Sequence, residues 1–252
     1  MNGFAIRLRL QVLCEPFPWS AIGVAILLLL VCLPCAAETR NEFWPELDAY
    51  VKLDTRLRLF CLAAFVHAAE PEAASGSGVY RDVQIGAHVD YTLKPIFRRK
   101  LQAADWERDR YMWTRLGYRY GTSLGDVDDP FREHRGIFEL TGRVPLPADF
   151  WAVNRGRVDL RDVEGTQSAR FRYRLTFERE TTILGVVTVP YANAEVFYDT
   201  RYDTVNRQRY QAGIEVVLTG RWRIEPYLSF QNDERSQPDH VNALGLTLKY
   251  YR

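Results

Sequence analysis

Between Arg170 and Glu178 the chain reads Arg-Phe-Arg-Tyr-Arg-Leu-Thr-Phe-Glu, so every second side chain is apolar and those between carry charge or a hydroxyl. An extended strand points successive side chains to opposite faces, and this period therefore gives one oily face and one wet face. The alternation recurs along nearly the whole chain after residue 42, with large aliphatic and aromatic residues on the oily side. The 3.6-residue helical period is weak over the same stretch, and no apolar run there approaches the about 20 residues of a spanning helix. Strands must carry the fold. The pattern predicts an all-β chain: an up-and-down antiparallel transmembrane β-barrel of about 10–12 strands in the bacterial outer membrane.

Alternation marks about eleven candidate strands. They are Phe43 to Leu53, Arg56 to His67, Val79 to Leu93, Tyr111 to Ser123, Glu133 to Leu146, Trp151 to Asp162, Ala169 to Glu180, Val187 to Asp199, Arg207 to Thr219, Trp222 to Asp233 and Val241 to Tyr251. Such barrels normally have an even number of strands. Parity favours twelve slightly over ten, with a doubtful break around Thr181 to Gly185. Val83, Ile85, Ala87, Val89 and Tyr91 fall on one face of their strand, and Asp82, Gln84, His88 and Asp90 on the other. Hydrocarbon tolerates only the first set, so the second is expected inside. Asp54-Thr55, Pro147 to Phe150 and Gly220-Arg221 read as short periplasmic turns, and Glu70 to Gly78, Leu124 to Arg132 and Glu234 to His240 as extracellular loops. Lys94 to Arg110 is long and charged, falls on the periplasmic side by parity, and is expected to hold a short helix. Phe43, Trp44, Trp113, Phe150, Trp151, Tyr191, Trp222 and Tyr227 lie near segment ends, where aromatic girdles sit, although aromatics also favour ordinary sheet packing.

The start of the chain predicts export. Arg7 and Arg9 precede a continuous apolar stretch from Ala21 to Leu33, and Cys35-Ala36-Ala37 supplies the small residues a leader peptidase accepts. Residues 1–37 are expected to be a removable signal peptide, leaving residues 38–252 as one barrel domain. Cys14, Cys32 and Cys35 then leave with the leader, and Cys61 alone remains, so no internal disulfide is expected. Formal net charge is +1 with both signs interleaved, which gives no sign of a nucleic-acid partner.

Three further stretches are distinctive: Pro-Tyr-Ala-Asn-Ala-Glu-Val-Phe-Tyr-Asp (Pro190 to Asp199), Asn-Arg-Gln-Arg-Tyr-Gln-Ala-Gly (Asn206 to Gly213) and Arg-Ile-Glu-Pro-Tyr (Arg223 to Tyr227). With Phe43-Trp44 and Arg170 to Arg174 they resemble the DUF2490 family of predicted outer-membrane proteins. The resemblance implies an outer-membrane barrel without an assigned activity, and it carries over no catalytic residue. The last strand places Leu244, Leu246, Leu248 and Tyr250 on one face and resembles the closing strand read by the outer-membrane assembly machinery, although Arg252 stands where an aromatic is usual.

The most distinctive interior feature is an arginine-rich wall. Arg155, Arg157 and Arg161 on one strand face Arg170, Arg172 and Arg174 on the next, with Asp159, Glu178, Glu195, Glu215 and Glu225 also inward. This charge cluster is expected to fill a narrow lumen with ion pairs, or else to present a basic stripe to anionic solutes or lipopolysaccharide phosphates. The chain therefore reads as a structural envelope component or a narrow channel. Ten to twelve strands lie between the barrels of about 8 that side chains fill and the 16 to 18 of open porins. A lipid hydrolase needs a hydroxyl, a base and an orienting group within reach. The only histidines, His67, His88, His134 and His240, stand beside no nucleophile motif, though His88 and Asp90 share a face and are placed to pair. The remaining alternative is a soluble periplasmic barrel with its oily face inward, like a lipocalin. No catalytic, metal-binding or cofactor residues are predicted. The expected partners are outer-membrane lipid, lipopolysaccharide and the barrel-assembly machinery.

Overall fold

A computed structural model describes residues 39–68, 81–93, 110–124, 130–234 and 240–252. The strands are β1 (Thr39–Lys52), β2 (Leu57–Ala68), β3 (Asp82–Thr92), β4 (Met112–Ser123), β5 (Arg132–Pro145), β6 (Phe150–Val163), β7 (Thr166–Arg179), β8 (Thr181–Ile183), β9 (Val186–Asp199), β10 (Thr204–Val217), β11 (Trp222–Asp233) and β12 (His240–Tyr251). Each pairs with its sequence neighbour, except that β9 pairs with both β7 and β8. The three-residue β8 continues β7 past Glu180, so the ring has eleven staves. Among the described residues there is no twelfth stave. What looked like a break near Thr181 is the end of one long stave, turned back at Leu184 and Gly185, whose φ of 52° and 81° suit a two-residue hairpin turn.

An odd number of crossings leaves the first and last strands running in the same direction. The barrel closes accordingly: β1 pairs with β12 in parallel from Thr39↔His240 to Tyr50↔Tyr251, where a wholly antiparallel meander was expected. The seam is clasped at its end by Lys52 N–H donating to the Arg252 carbonyl at 2.7 Å and Arg252 N–H to the Tyr50 carbonyl at 2.8 Å. The end of β1 and the end of β12 thus share one rim with the turns at 53–56, 146–149, 184–185 and 218–221. The connection between β3 and β4, 93–111, also falls on this rim; the opposite rim carries the connections 69–81, 124–131 and 234–239 and two tight turns at 164–165 and 200–203. The helix expected within Lys94 to Arg110 falls almost entirely on 94–109, outside the described residues.

Alternation decides what the barrel shows to its surroundings. Leu160 is 64 % exposed, Leu116 62 % and Ile85 54 %, all on the outer wall, whereas Asp90, Asp159 and Asp199 are wholly buried on the inner one. The lipocalin-like alternative requires the reverse, and this placement overturns it: carboxylates and guanidinium groups fill the centre. Exposed Leu, Ile, Val, Phe and Tyr side chains recur on the outer wall of most strands. Most of the candidate girdle aromatics follow the same parity inward. Trp44, Trp113, Tyr191 and Tyr227 line the lumen and Trp151 is buried, whereas Trp222 faces outward. Tyr227 needs a glycine opposite it, since a Cβ on Gly245 would lie 1.9 Å from the ring.

Candidate functional site

The lumen is the site that the fold builds. Inward positions of neighbouring strands meet at register pairs, so β6 and β7 set Arg155 opposite Arg174, Arg157 opposite Arg172 and Asp159 opposite Arg170. Like charges directly opposed repel, and the next strand supplies the answer. On β9, Glu195 is paired in register with Arg174, and its buried carboxylate accepts from Arg155 at 2.7 Å, Arg172 at 2.9 Å and Arg174 at 2.7 Å. Asp159 takes Arg157 at 2.5 Å and Arg172 at 3.6 Å, and Glu139 on β5 stands 3.8 Å from Arg155. Four guanidinium groups therefore share three carboxylates in the middle of the wall.

Above and below this band the charges are matched differently. Toward the long-loop rim, Asp199 accepts from Arg161 and Arg170, both at 2.7 Å, and Arg161 also pairs with Glu133, which holds Arg135 at 2.5 Å. Arg207 donates to Asp233 beside them. Toward the tight-turn rim, Arg143 pairs with Glu178, and Glu215 accepts from Arg223 at 3.0 Å and Lys249 at 2.7 Å. Lys249 also reaches Glu225, which accepts a 2.5 Å bond from the Tyr191 hydroxyl. All eleven residues singled out in the sequence are thus inward and charge-paired. Sequence reading missed Glu133, Glu139, Arg143, Asp199 and Lys249. Each shares the inward parity of its strand, but which carboxylate reaches which arginine depends on register across three strands.

The opposite side of the lumen is aromatic. Tyr251, Tyr50, Phe60 and His88 stack in series from β12 to β3, with ring centroids 4.8, 4.6 and 5.2 Å apart. Arg58, Arg115 and Arg223 lie over these rings at 4.2 to 4.4 Å. Asp90 is occupied by Arg58 at 2.5 Å and Arg115 at 2.6 Å, so the His88–Asp90 pair anticipated from shared parity does not form. Instead His88 lies against Gly117, where a Cβ would fall 1.9 Å from Nδ1, and its Nε2 accepts from Arg119 at 3.3 Å. His134 is on the outer wall, 2.5 Å from the Tyr118 hydroxyl. Among the described residues no group of three or more His, Cys, Asp or Glu side chains is arranged to hold a metal ion.

A cavity of about 600 Å³ remains between these walls, lined by Arg40 and Asp82 near one rim and Lys249 and Tyr50 near the other. Cationic side chains outnumber carboxylates in its lining.

A protein-family model, DUF2490, described as a protein of unknown function, matches residues 103–242. No curated protein matches the chain. Among solved structures, the beta domain of the Bordetella autotransporter BrkA is 14% identical with a TM-score of 0.47, over 77% of this chain and 82% of that one. LpxR from Salmonella typhimurium is 10% identical with a TM-score of 0.45, over 77% and 83%.

Proposed function

We propose that this chain, which belongs to the DUF2490 family of proteins of unknown function, is an outer-membrane β-barrel whose narrow, wet lumen passes small anions. The observation that carries the reading is the cavity between the two rims, walled by more guanidinium groups than carboxylates. A pore lined by one sign of charge in excess concentrates the opposite ion and repels its own. The outward band of Leu, Ile, Val and Tyr supports placement in hydrocarbon, as does the closed ring, in which each strand pairs with neighbours on both sides. In this reading residues 1–37 are the leader that directs export, the barrel-assembly machinery folds the chain, and lipopolysaccharide surrounds the outward face of the long-loop rim.

A second reading is favoured by the ion-pair density around Glu195 and Asp199: the barrel as a sealed structural component of the envelope. One experiment separates them. Purified full-length protein in planar bilayers under a potassium chloride gradient is expected to give small unitary conductances with a reversal potential on the anion-selective side. Cation selectivity would refute the proposal, and bilayers that stay silent would favour the sealed barrel. Membrane fractionation, with gel mobility compared before and after heating, tests the location; a soluble product of unchanged mobility would overturn it.

A further inference from the structure

The arginines in the lumen differ in what neutralises them. Arg119 on β4 and Arg209 on β10 line the cavity, yet neither has a carboxylate within ion-pair distance among the described residues. Arg119 donates from Nε to His88 Nε2 at 3.3 Å. A guanidinium only donates, so the nitrogen facing it carries no proton, and His88 offers Arg119 a lone pair and no negative charge. Arg209 donates to the Gln231 amide oxygen at 3.0 and 2.5 Å and lies over the rings of Trp44 at 5.0 Å and Phe197 at 5.3 Å. Both of these contacts orient the guanidinium, and neither supplies it an ion-pair partner.

Topology sets these two groups against each other. From β4 the ring runs through β5, β6, β7 and β9 to β10, five staves of eleven, so the two strands form facing walls. Both residues sit a similar distance in from the long-loop rim, Arg119 shortly before Ser123 ends β4 and Arg209 shortly after Thr204 begins β10. Glu46 attracts Arg119 and Glu195, the register partner of Arg209, attracts Arg209, each from beyond ion-pair distance, while Arg172 on β7 between them repels both. In the same band Arg157 Nη2, Arg155 Nε and Arg174 Nε are buried without an acceptor. Here the lumen holds unused donors and two guanidinium groups outside any ion pair; Glu195 is committed to three other arginines, and Glu46 attracts Arg119 from beyond ion-pair distance.

Resting on the channel reading above, we propose that this level is a binding site for a small dianionic oxyanion of the phosphate class, held between Arg119 and Arg209. A tetrahedral oxyanion presents pairs of oxygens that match the guanidinium fork, and two charges answer the two unmatched cations. Chloride meets the charge requirement and leaves the forked donors unsatisfied. The strands close around the site, so the ligand arrives as a free ion through a rim, and not as the headgroup of a lipid in the surrounding bilayer.

The test uses full-length protein in planar bilayers of one fixed lipid composition, in chloride, with inorganic phosphate added stepwise. The expected result is a saturable fall in chloride current at millimolar phosphate, with the half-blocking concentration raised at least about 10-fold in Arg119→Gln/Arg209→Gln, a loss of about 1.4 kcal/mol or more. Heat-modifiable gel mobility reports that the variant is folded, and Gln208→Ala on the outer wall serves as the control that keeps the block. Current that phosphate does not block, or a block unchanged in the folded double variant, overturns the site and leaves the channel standing. A block that appears only when an anionic phospholipid is added overturns the free-ion source. If the protein does not conduct, calorimetry with inorganic phosphate in detergent decides: binding lost in the double variant sustains the site without the channel, and no binding removes it.

Discussion

Leu116 is the position at which the membrane placement of this barrel is most exposed to disproof. It lies near the middle of β4, is 62 % exposed, and stands between Val89 on β3 and Phe138 on β5 in a row of outward apolar side chains. Replacing it by arginine puts a guanidinium on the outer wall near mid-height, with no carboxylate among its register partners. In hydrocarbon such a substitution costs about 2–4 kcal/mol at the midplane. In water an exposed surface exchange of this kind stays within about 0.5 kcal/mol. Leu116→Ala gives the cost of losing the leucine alone, so the difference between Arg and Ala isolates the charge. The assay is equilibrium urea titration of protein folded into phospholipid vesicles, read by tryptophan fluorescence and checked for reversibility from both directions. The expected outcome is an Arg variant at least about 2 kcal/mol less stable than the Ala variant, a factor of roughly 30 in the folding equilibrium. Equal stabilities would refute the assignment of this face to lipid, and the channel reading with it.

Glu195→Gln removes the charge that three guanidinium groups share, and breaking a buried pair from one side costs about 3–5 kcal/mol, so urea titration should show a loss of that order together with a rise in the anion-to-cation permeability ratio. A loss below about 1 kcal/mol would mean that lumen water already screens these pairs. Gly245→Ala would place a Cβ 1.9 Å from the Tyr227 ring and should cost about 1–3 kcal/mol or more, with Tyr227→Ala in the same chain relieving the clash. The parallel seam predicts that Leu47→Cys and Leu248→Cys, introduced together with Cys61→Ala, cross-link under a short thiol-reactive reagent and change unheated gel mobility, because these positions are register partners. A barrel closed without that pairing would leave them unlinked.

The eleven candidate strands read from alternation coincide with the eleven staves to within a few residues at their ends, and so do their inner and outer faces. Both are local properties: a period of two needs only neighbours along the chain, and hydrocarbon on one side permits only one assignment of the faces. Strand number was harder to read, since the expectation of an even count pointed to twelve and nothing near Thr181 distinguishes a pause within one stave from a gap between two. The seam escaped notice for the same reason, because the direction of β12 relative to β1 follows from the total count and not from any residue in either strand. Side-chain partners were the least legible. His88 and Asp90 share a parity and yet do not meet, as Arg58 and Arg115 arrive from the two adjacent strands to take the carboxylate. The chain thus carries in its own order an export signal to be tested, a set of two-faced strands and a surplus of arginine on their wet side. Only closure of the ring decides which arginine is matched by which carboxylate, and that Arg119 and Arg209 are left over on facing walls, because pairing across a lumen depends on distances that sequence spacing does not contain.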